Sequence, residues 1–158
     1  MSVKSQTQTP YLIPVETFNM LGKMTAVLID TCIWSLALRG DTPRNRAVAK
    51  ELTAIIYAEN ARIIGPIRQE VLSGYSDYKR YEQLRDKLSY FPNEVVIDVD
   101  YLCAAEFSNL CRQKGIQGSH IDFLICAVAF RLKLNIYTCD NDFLSYVKHI
   151  PIILHSES

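Results

Sequence analysis

Ala26-Val-Leu-Ile-Asp30 is a brief apolar run that stops on a carboxylate, and similar runs recur along the chain with helical pattern between them. Runs this short are too brief for helices and suit strands buried on both faces of a sheet. Arg62-Ile-Ile-Gly65, Glu94-Val-Val-Ile97 and Asn135-Ile-Tyr-Thr138 read as further strands. Ile150 to Leu154 reads as a fifth, confined to the sheet edge by Pro151, which has no N–H to give a ladder. The intervening segments read as helices. Thr31 to Leu38 is one, broken by Arg39-Gly-Asp-Thr-Pro43. Arg44 to Asn60 carries Val48, Leu52, Ile55 and Ile56 on one face. Pro66 suits the first turn of a helix running from Ile67 to Leu72. Asp77 to Leu88 is a charged surface helix, and Tyr101 to Lys114 is closed by Gly115 as a C-cap. Ser119 opens a nearly all-apolar helix, Ile121 to Leu132, and a last short helix lies around Phe143 to Val147. This alternation predicts one α/β domain, with a central parallel sheet of four to five strands and helices on both faces. No repeat, low-complexity run or linker divides residues 25–154.

Composition narrows the class. A chain of 158 residues that is 49% hydrophobic and 22% charged is globular and about one domain long. Lys+Arg and Asp+Glu both number 17, so no overall basic field attracts nucleic acid, and any polyanion needs a local patch. No apolar run approaches the roughly 20 residues of a membrane-spanning helix. The start, MSVKSQTQTPYLIPVETFNM, lacks the apolar core of a signal peptide, so a cytoplasmic location is expected. The five cysteines are odd in number and form no C-x-x-C pair, which fits free thiols better than a disulfide frame or a zinc site. Residues 1–23 stand apart as an N-terminal extension, with polar Ser2 to Gln8 expected to be disordered and Tyr11 to Leu21 apolar enough to dock on a surface. The domain is taken as 24–158, and a chain starting at Met24 is expected to fold and act without the extension.

Ligands of open α/β sheets bind beyond the carboxyl ends of the strands. Asp30 ends the first strand, Glu70 follows the second, Asp122 lies in the first turn of the apolar helix, and Asp140 and Asp142 follow the fourth strand. Each has an ordinary structural role open to it. Asp30 suits an N-cap, Ser119-x-x-Asp122 resembles a capping box, and Asp140 and Asp142 suit the start of the last helix. Glu70 shares a helical face with Ile67 and Val71, which turns its carboxylate toward the sheet. Carboxylates gathered at one sheet edge repel one another unless a cation neutralises them. His120 has no spaced partner and reads as a cap or surface residue, so the donors are all oxygen, as Mg2+ or Mn2+ prefers. Arg39, Arg44, Arg46 and Arg68 are candidates to hold flanking phosphates, although Arg44 and Arg46 serve equally well as solvated residues of a helix start. Lys79, Arg80, Arg85 and Lys87 alternate with Asp77, Glu82 and Asp86 and read as a solvated face. No glycine-rich phosphate loop follows the first strand.

The segments Val27-Leu-Ile-Asp30-Thr31, Ile64-Gly-Pro-Ile-Arg-Gln-Glu70, Gly118-Ser119-x-Ile-Asp122 and Tyr137-Thr138-x-Asp140-x-Asp142-Phe143, in this order, resemble the PIN-domain nucleases, particularly VapC-like toxins of toxin–antitoxin pairs. The resemblance covers roughly residues 25–154. It implies a metal-dependent endoribonuclease using Mg2+ or Mn2+, an RNA substrate, a cognate antitoxin and a homodimer. Asp30, Glu70 and Asp122 match the family's three central carboxylates. Asp140 matches the fourth ahead of Asp142, and Thr31, Ser119 and Thr138 match supporting hydroxyls. Asp30 and Asp122 are then the direct metal ligands, with Glu70 and Asp140 as further ligands or as groups that orient the attacking water. Two other readings remain open, a housekeeping PIN nuclease without an antitoxin and a non-catalytic PIN-fold binding module. The chain departs from the family in its long N-terminal extension.

Overall fold

Val27, Leu28 and Ile29 form strand β1 (Val27–Ile29) and all three are buried. Successive strand residues point to opposite faces, so both faces of the sheet are covered. The computed structural model describes residues 25–157, and the N-terminal extension lies outside them. After β1 come α1 (Thr31–Leu38), α2 (Pro43–Tyr57), β2 (Ala61–Ile64), α3 (Gly65–Ser73), α4 (Tyr78–Leu88), β3 (Asn93–Glu94), α5 (Asp98–Gln113), α6 (His120–Leu132), β4 (Asn135–Tyr137) and α7 (Asp142–Tyr146). The four strands are parallel, in the order β3-β2-β1-β4. Val27 is in register with Ala61 on one side and Asn135 on the other. The chain therefore steps outward from β1 through β2 to β3, then crosses back to lay β4 on the opposite side of β1. The crevice at such a reversal opens at the carboxyl ends of β1 and β4.

Two expected strands shrink, each for a local reason. Of Glu94 to Ile97 only Glu94 joins the ladder, because its neighbours' backbone groups are claimed elsewhere. The Val95 carbonyl accepts from Arg131 at 2.8 Å, and the Ile97 amide donates to Asp100 Oδ2 at 2.9 Å. That second bond starts α5 at Asp98, one turn earlier than its apolar pattern suggests. Ile150 to Leu154 contributes a single parallel bridge, Leu154 with Ile136, while Ile150 and Ile152 are buried in the core. The fifth strand is thus an edge contact rather than a ladder.

Helix α6 is buried continuously from Phe123 to Ala129, which explains its near absence of polar residues. Near its end Arg131 forks onto Asp100 of α5 at 2.7 and 2.8 Å. Asp100 is only 1% exposed. Burial pushes its carboxyl up, but the Arg131 hydrogen bonds, the Ile97 amide and the Arg131 charge together hold it below the usual carboxylate range. Asp100→Asn keeps the shape, removes the charge and faces an amide donor toward the guanidinium. It is expected to cost about 2 kcal/mol near neutral pH, since Arg131 is partly exposed and can rehydrate. A carboxyl lowered on folding stabilises the protein above its unfolded pKa of roughly 4, and that contribution fades as pH falls through the folded value. Urea unfolding of both proteins across pH checks this, and a difference that stays constant into acid would show that the charge contributes nothing.

Candidate active site

The site is built outward from Asp30. Its amide donates to the Tyr137 carbonyl at 2.9 Å, the last backbone bond between the β1 and β4 ends. Its carboxylate, on a residue only 7% exposed, does two things. Oδ1 accepts from the Thr31 amide at 2.7 Å and so caps α1. Oδ2 accepts from the Thr138 hydroxyl at 2.7 Å and from the Cys32 thiol at 3.4 Å. Burial pushes the Asp30 carboxyl up, the Thr138, Thr31 and Cys32 hydrogen bonds pull it down, and the nearby Asp122 charge raises it again. Burial, with the Asp30 charge, also pushes the Cys32 thiol far up, so Cys32 stays a neutral donor. Its sulfur in turn receives the Cys139 amide at 3.0 Å.

The remaining acids are placed by helix starts and turns. Thr31 links two of them, because its amide caps on Asp30 and its hydroxyl donates to Glu70 Oε2 at 2.9 Å. Glu70 itself is exposed, contrary to the expectation that it faces the sheet. Ile67 and Val71 occupy the buried stripe of α3, and Glu70 sits on its flank, turned toward the strand ends. Ser119 and Asp122 form the expected capping box, with the Asp122 amide 3.0 Å from Ser119 Oγ and the Ser119 amide 3.1 Å from Asp122 Oδ2. Asp140 donates its amide to Thr138 Oγ1 at 3.0 Å and accepts from the Asp142 amide at 2.9 Å. Asp30, Glu70, Asp122 and Asp140 line one cleft of about 550 Å3. Asp142 contributes its amide to that turn, and its carboxylate is outside the cleft lining.

One oxygen on each of three acids is free of protein hydrogen bonds among the described residues, namely Glu70 Oε1, Asp122 Oδ1 and Asp140 Oδ2. Among those residues no three His, Cys, Asp or Glu side chains converge tightly enough to enclose one ion. The donor set nonetheless fits a hard cation that keeps several waters and takes only a few carboxylates. A buried carboxylate raised by burial and by a neighbouring acid is also the electrostatic setting that a cation relieves.

Of the candidate phosphate contacts, Arg39 lines the cleft. Arg44 and Arg46 do not, and Arg46 pairs with Asp41 at 2.7 Å. Arg68 is a structural tie instead. It donates to Asn93 Oδ1 at 2.9 Å, to the Leu88 carbonyl at 2.7 Å and to the Phe91 carbonyl, anchoring α3 to the α4–β3 connection. His120 is exposed at the start of α6, as a surface residue.

Sequence reading missed Tyr146. Fully buried against Phe123 and Phe143, its hydroxyl donates to Asp122 Oδ2 at 3.1 Å. Burial and the Asp122 charge push that phenol well up, so it remains a donor. Gly118 makes the approach possible: a Cβ there would run into the Tyr146 hydroxyl and lie 2.9 Å from Phe123 Cε2. No local signal marks a tyrosine in the last helix as a partner of an acid in α6.

A parallel α/β sheet with an acid cleft at its topological switch point defines the class. The chain belongs to the PIN-domain family, whose model matches residues 27–148. No curated protein matches it in sequence. Among solved structures it is similar to a toxin–antitoxin complex from Klebsiella pneumoniae, at 25% identity and a TM-score of 0.58, covering 75% of this chain and 90% of that one. It shares its fold with FitAcB from Neisseria gonorrhoeae, at 19% identity and a TM-score of 0.68 over 83% of this chain and 97% of that one. VapBC2 from Rickettsia felis, bound to a DNA fragment from its promoter, aligns at 16% identity and a TM-score of 0.63 over 82% and 97%.

The Gly118–Tyr146 contact yields a stability test. Gly118→Ala is expected to cost about 1–3 kcal/mol by overpacking, and Tyr146→Phe about 1 kcal/mol through the lost hydrogen bond. Removing the hydroxyl relieves the closest clash, so the double variant should lose less than the sum of the two. Urea unfolding of all four proteins checks this, and strict additivity would mean that the two positions do not meet as described.

Proposed function

We propose that this protein is a metal-dependent endoribonuclease and the toxin of a toxin–antitoxin pair. The observation that carries the reading is the convergence of Asp30, Glu70, Asp122 and Asp140 on one cleft at the sheet's switch point. Membership of the PIN family supports a nuclease, and the likeness to a toxin–antitoxin complex supports the toxin role. A bound Mg2+ or Mn2+ would supply a Lewis acid for the scissile phosphate and a water of lowered pKa. On this reading Asp30 and Asp122 hold the ion. Glu70 and Asp140 act as further ligands or accept hydrogen bonds from the attacking water, each with one oxygen left free by the protein. Thr31, Thr138 and Ser119 keep those carboxylates from rotating. The non-catalytic alternative is less well supported, because every acid of the pattern is present.

The antitoxin is proposed to place an arginine or lysine in the cleft, where a cation beside several carboxylates is strongly favoured. An apolar groove of about 430 Å3 between α1, α2 and α4 offers such a partner a second foothold. Trp34 lines it, and its buried Nε1 has no hydrogen-bond partner among the described residues. A homodimer is part of the same reading, and Val99, Tyr101, Leu102 and Leu110 leave apolar surface exposed on α5 for one. No helix of the described residues is long and apolar enough to cross a membrane, and action in the cytoplasm is proposed.

Asp30→Asn or Asp122→Asn is expected to lower cleavage of a mixed RNA substrate by about a hundredfold or more, with the circular dichroism spectrum unchanged. Chelation should abolish wild-type cleavage, and added Mg2+ or Mn2+ should restore it. Near-normal cleavage by either purified variant would overturn the assignment. A chain starting at Met24 is expected to melt at the same temperature and cleave at the same rate as the full chain. Loss of activity at equal folded concentration would place the extension inside the functional unit.

A further inference from the structure

A second groove opens off the acid cleft. Its volume is about 410 Å3, and it shares Thr31, Ser35, Arg39 and Glu70 with the cleft, so the two form one continuous trough. The chemistry changes along it. Four acids line the cleft, whereas Glu70 is the only acid in the second groove, whose far wall carries Tyr75 and Arg80. Arg46, Arg62, Arg68, Arg85 and Arg131 are all engaged in ion pairs or hydrogen bonds through their guanidinium groups. Among the described residues the guanidinium groups of Arg39, Arg44, Arg80 and Arg112 are in no such contact, and of these Arg39 and Arg80 line the groove. Asp77, the nearest acid in sequence to Arg80, accepts the Arg80 backbone amide as the N-cap of α4. Tyr75 is half-buried and packed against the core, with its backbone amide donating to the Leu72 carbonyl at 3.2 Å, so the groove wall presents an aromatic ring.

We propose that this second groove is a nucleotide subsite for single-stranded RNA on one side of the scissile phosphate. Arg39, at the junction, takes the phosphate next to the cleft. Arg80 takes a phosphate farther along, and Tyr75 offers a stacking face to a base. The assignment rests on the ribonuclease reading and adds to it the side on which the strand is held. It also answers an electrostatic problem. The chain has no net charge, so a polyanion meets no general attraction and would be repelled by bare carboxylates. Two unpaired guanidinium groups beside them supply the local cationic stretch that the bulk composition lacks. A duplex does not suit this trough, because isolated arginines with one aromatic ring read splayed bases and a flexible backbone.

The test measures binding separately from cleavage. A fluorescein-labelled single-stranded RNA is titrated with the full chain carrying Asp30→Asn, by fluorescence anisotropy over a series of salt concentrations. Adding Arg39→Gln and Arg80→Gln together should flatten the slope of log affinity against log salt by about 1.4, or about 0.7 for each phosphate contact. Tyr75→Leu should weaken binding about fivefold or more at unchanged slope, and Tyr75→Phe should restore it. Lys133→Asn, just before β4 at the opposite edge of the sheet, should change neither quantity. An unchanged slope in the double arginine variant, or equal competition by duplex RNA, would overturn the subsite. Cleavage by otherwise wild-type protein separates the two ideas. Cleavage with an arginine-independent slope sinks the subsite alone, and arginine-dependent binding without any metal-stimulated cleavage sinks the ribonuclease reading alone.

Discussion

Asp30 ends β1, caps α1 and receives the Thr138 hydroxyl from the end of β4. One carboxylate therefore fixes a helix start and ties together the two strands between which the topology reverses. Two of the other three acids in the cleft are tied to it through a threonine. Thr31, positioned by that cap, reaches Glu70 on α3, and Thr138 accepts the Asp140 amide. Cys32 stays a protonated thiol because burial, and then the Asp30 charge beside it, disfavour the thiolate. The buried acid is costly unless satisfied, and its three hydrogen bonds are what let it remain at the sheet edge.

Much of this was legible from residue order. A buried triplet followed by an acid, and a Ser119-x-x-Asp122 box ahead of an all-apolar helix, carry their own physical meaning, and the structure forms both. Legibility failed where a distant residue decides the outcome. Val95-Val-Ile97 has strand composition, yet Arg131, far along the chain, takes the Val95 carbonyl and holds Asp100, the local acceptor of the Ile97 amide. Arg68 and Arg80 exchange their expected places for the same reason. The first finds three acceptors around the α4–β3 connection, and the second, read as part of a solvated face, lines a groove beside the acids. Glu70 differs from expectation more subtly, because helical spacing assigns a face and the flank of a short helix can still turn to the strand ends. The Gly118–Tyr146 contact had no precursor in local pattern at all.

Equal numbers of acidic and basic residues conceal a strong separation of charge. Acids gather where the strands end, while the basic residues near them split into arginines held by backbone carbonyls and arginines left open. A neutral total is thus compatible with a trough whose two ends have opposite character. The distinction lies in which guanidinium groups have already found partners, which composition does not report.

The caps also set how many donor atoms the cleft can offer. Asp30 Oδ2 accepts two hydrogen bonds, Asp30 Oδ1 accepts one and keeps a lone pair, and Glu70, Asp122 and Asp140 each have one oxygen tied to a hydroxyl or an amide. An acid anchored in this way can turn only a single oxygen outward, so each acts as a one-point donor rather than a pincer. Large cations that gather six to eight oxygens through chelating carboxylates would find few such pairs here, and a small octahedral ion that keeps several waters would need fewer. The same bonds that start the helices thereby limit how many oxygens each acid turns toward the cleft.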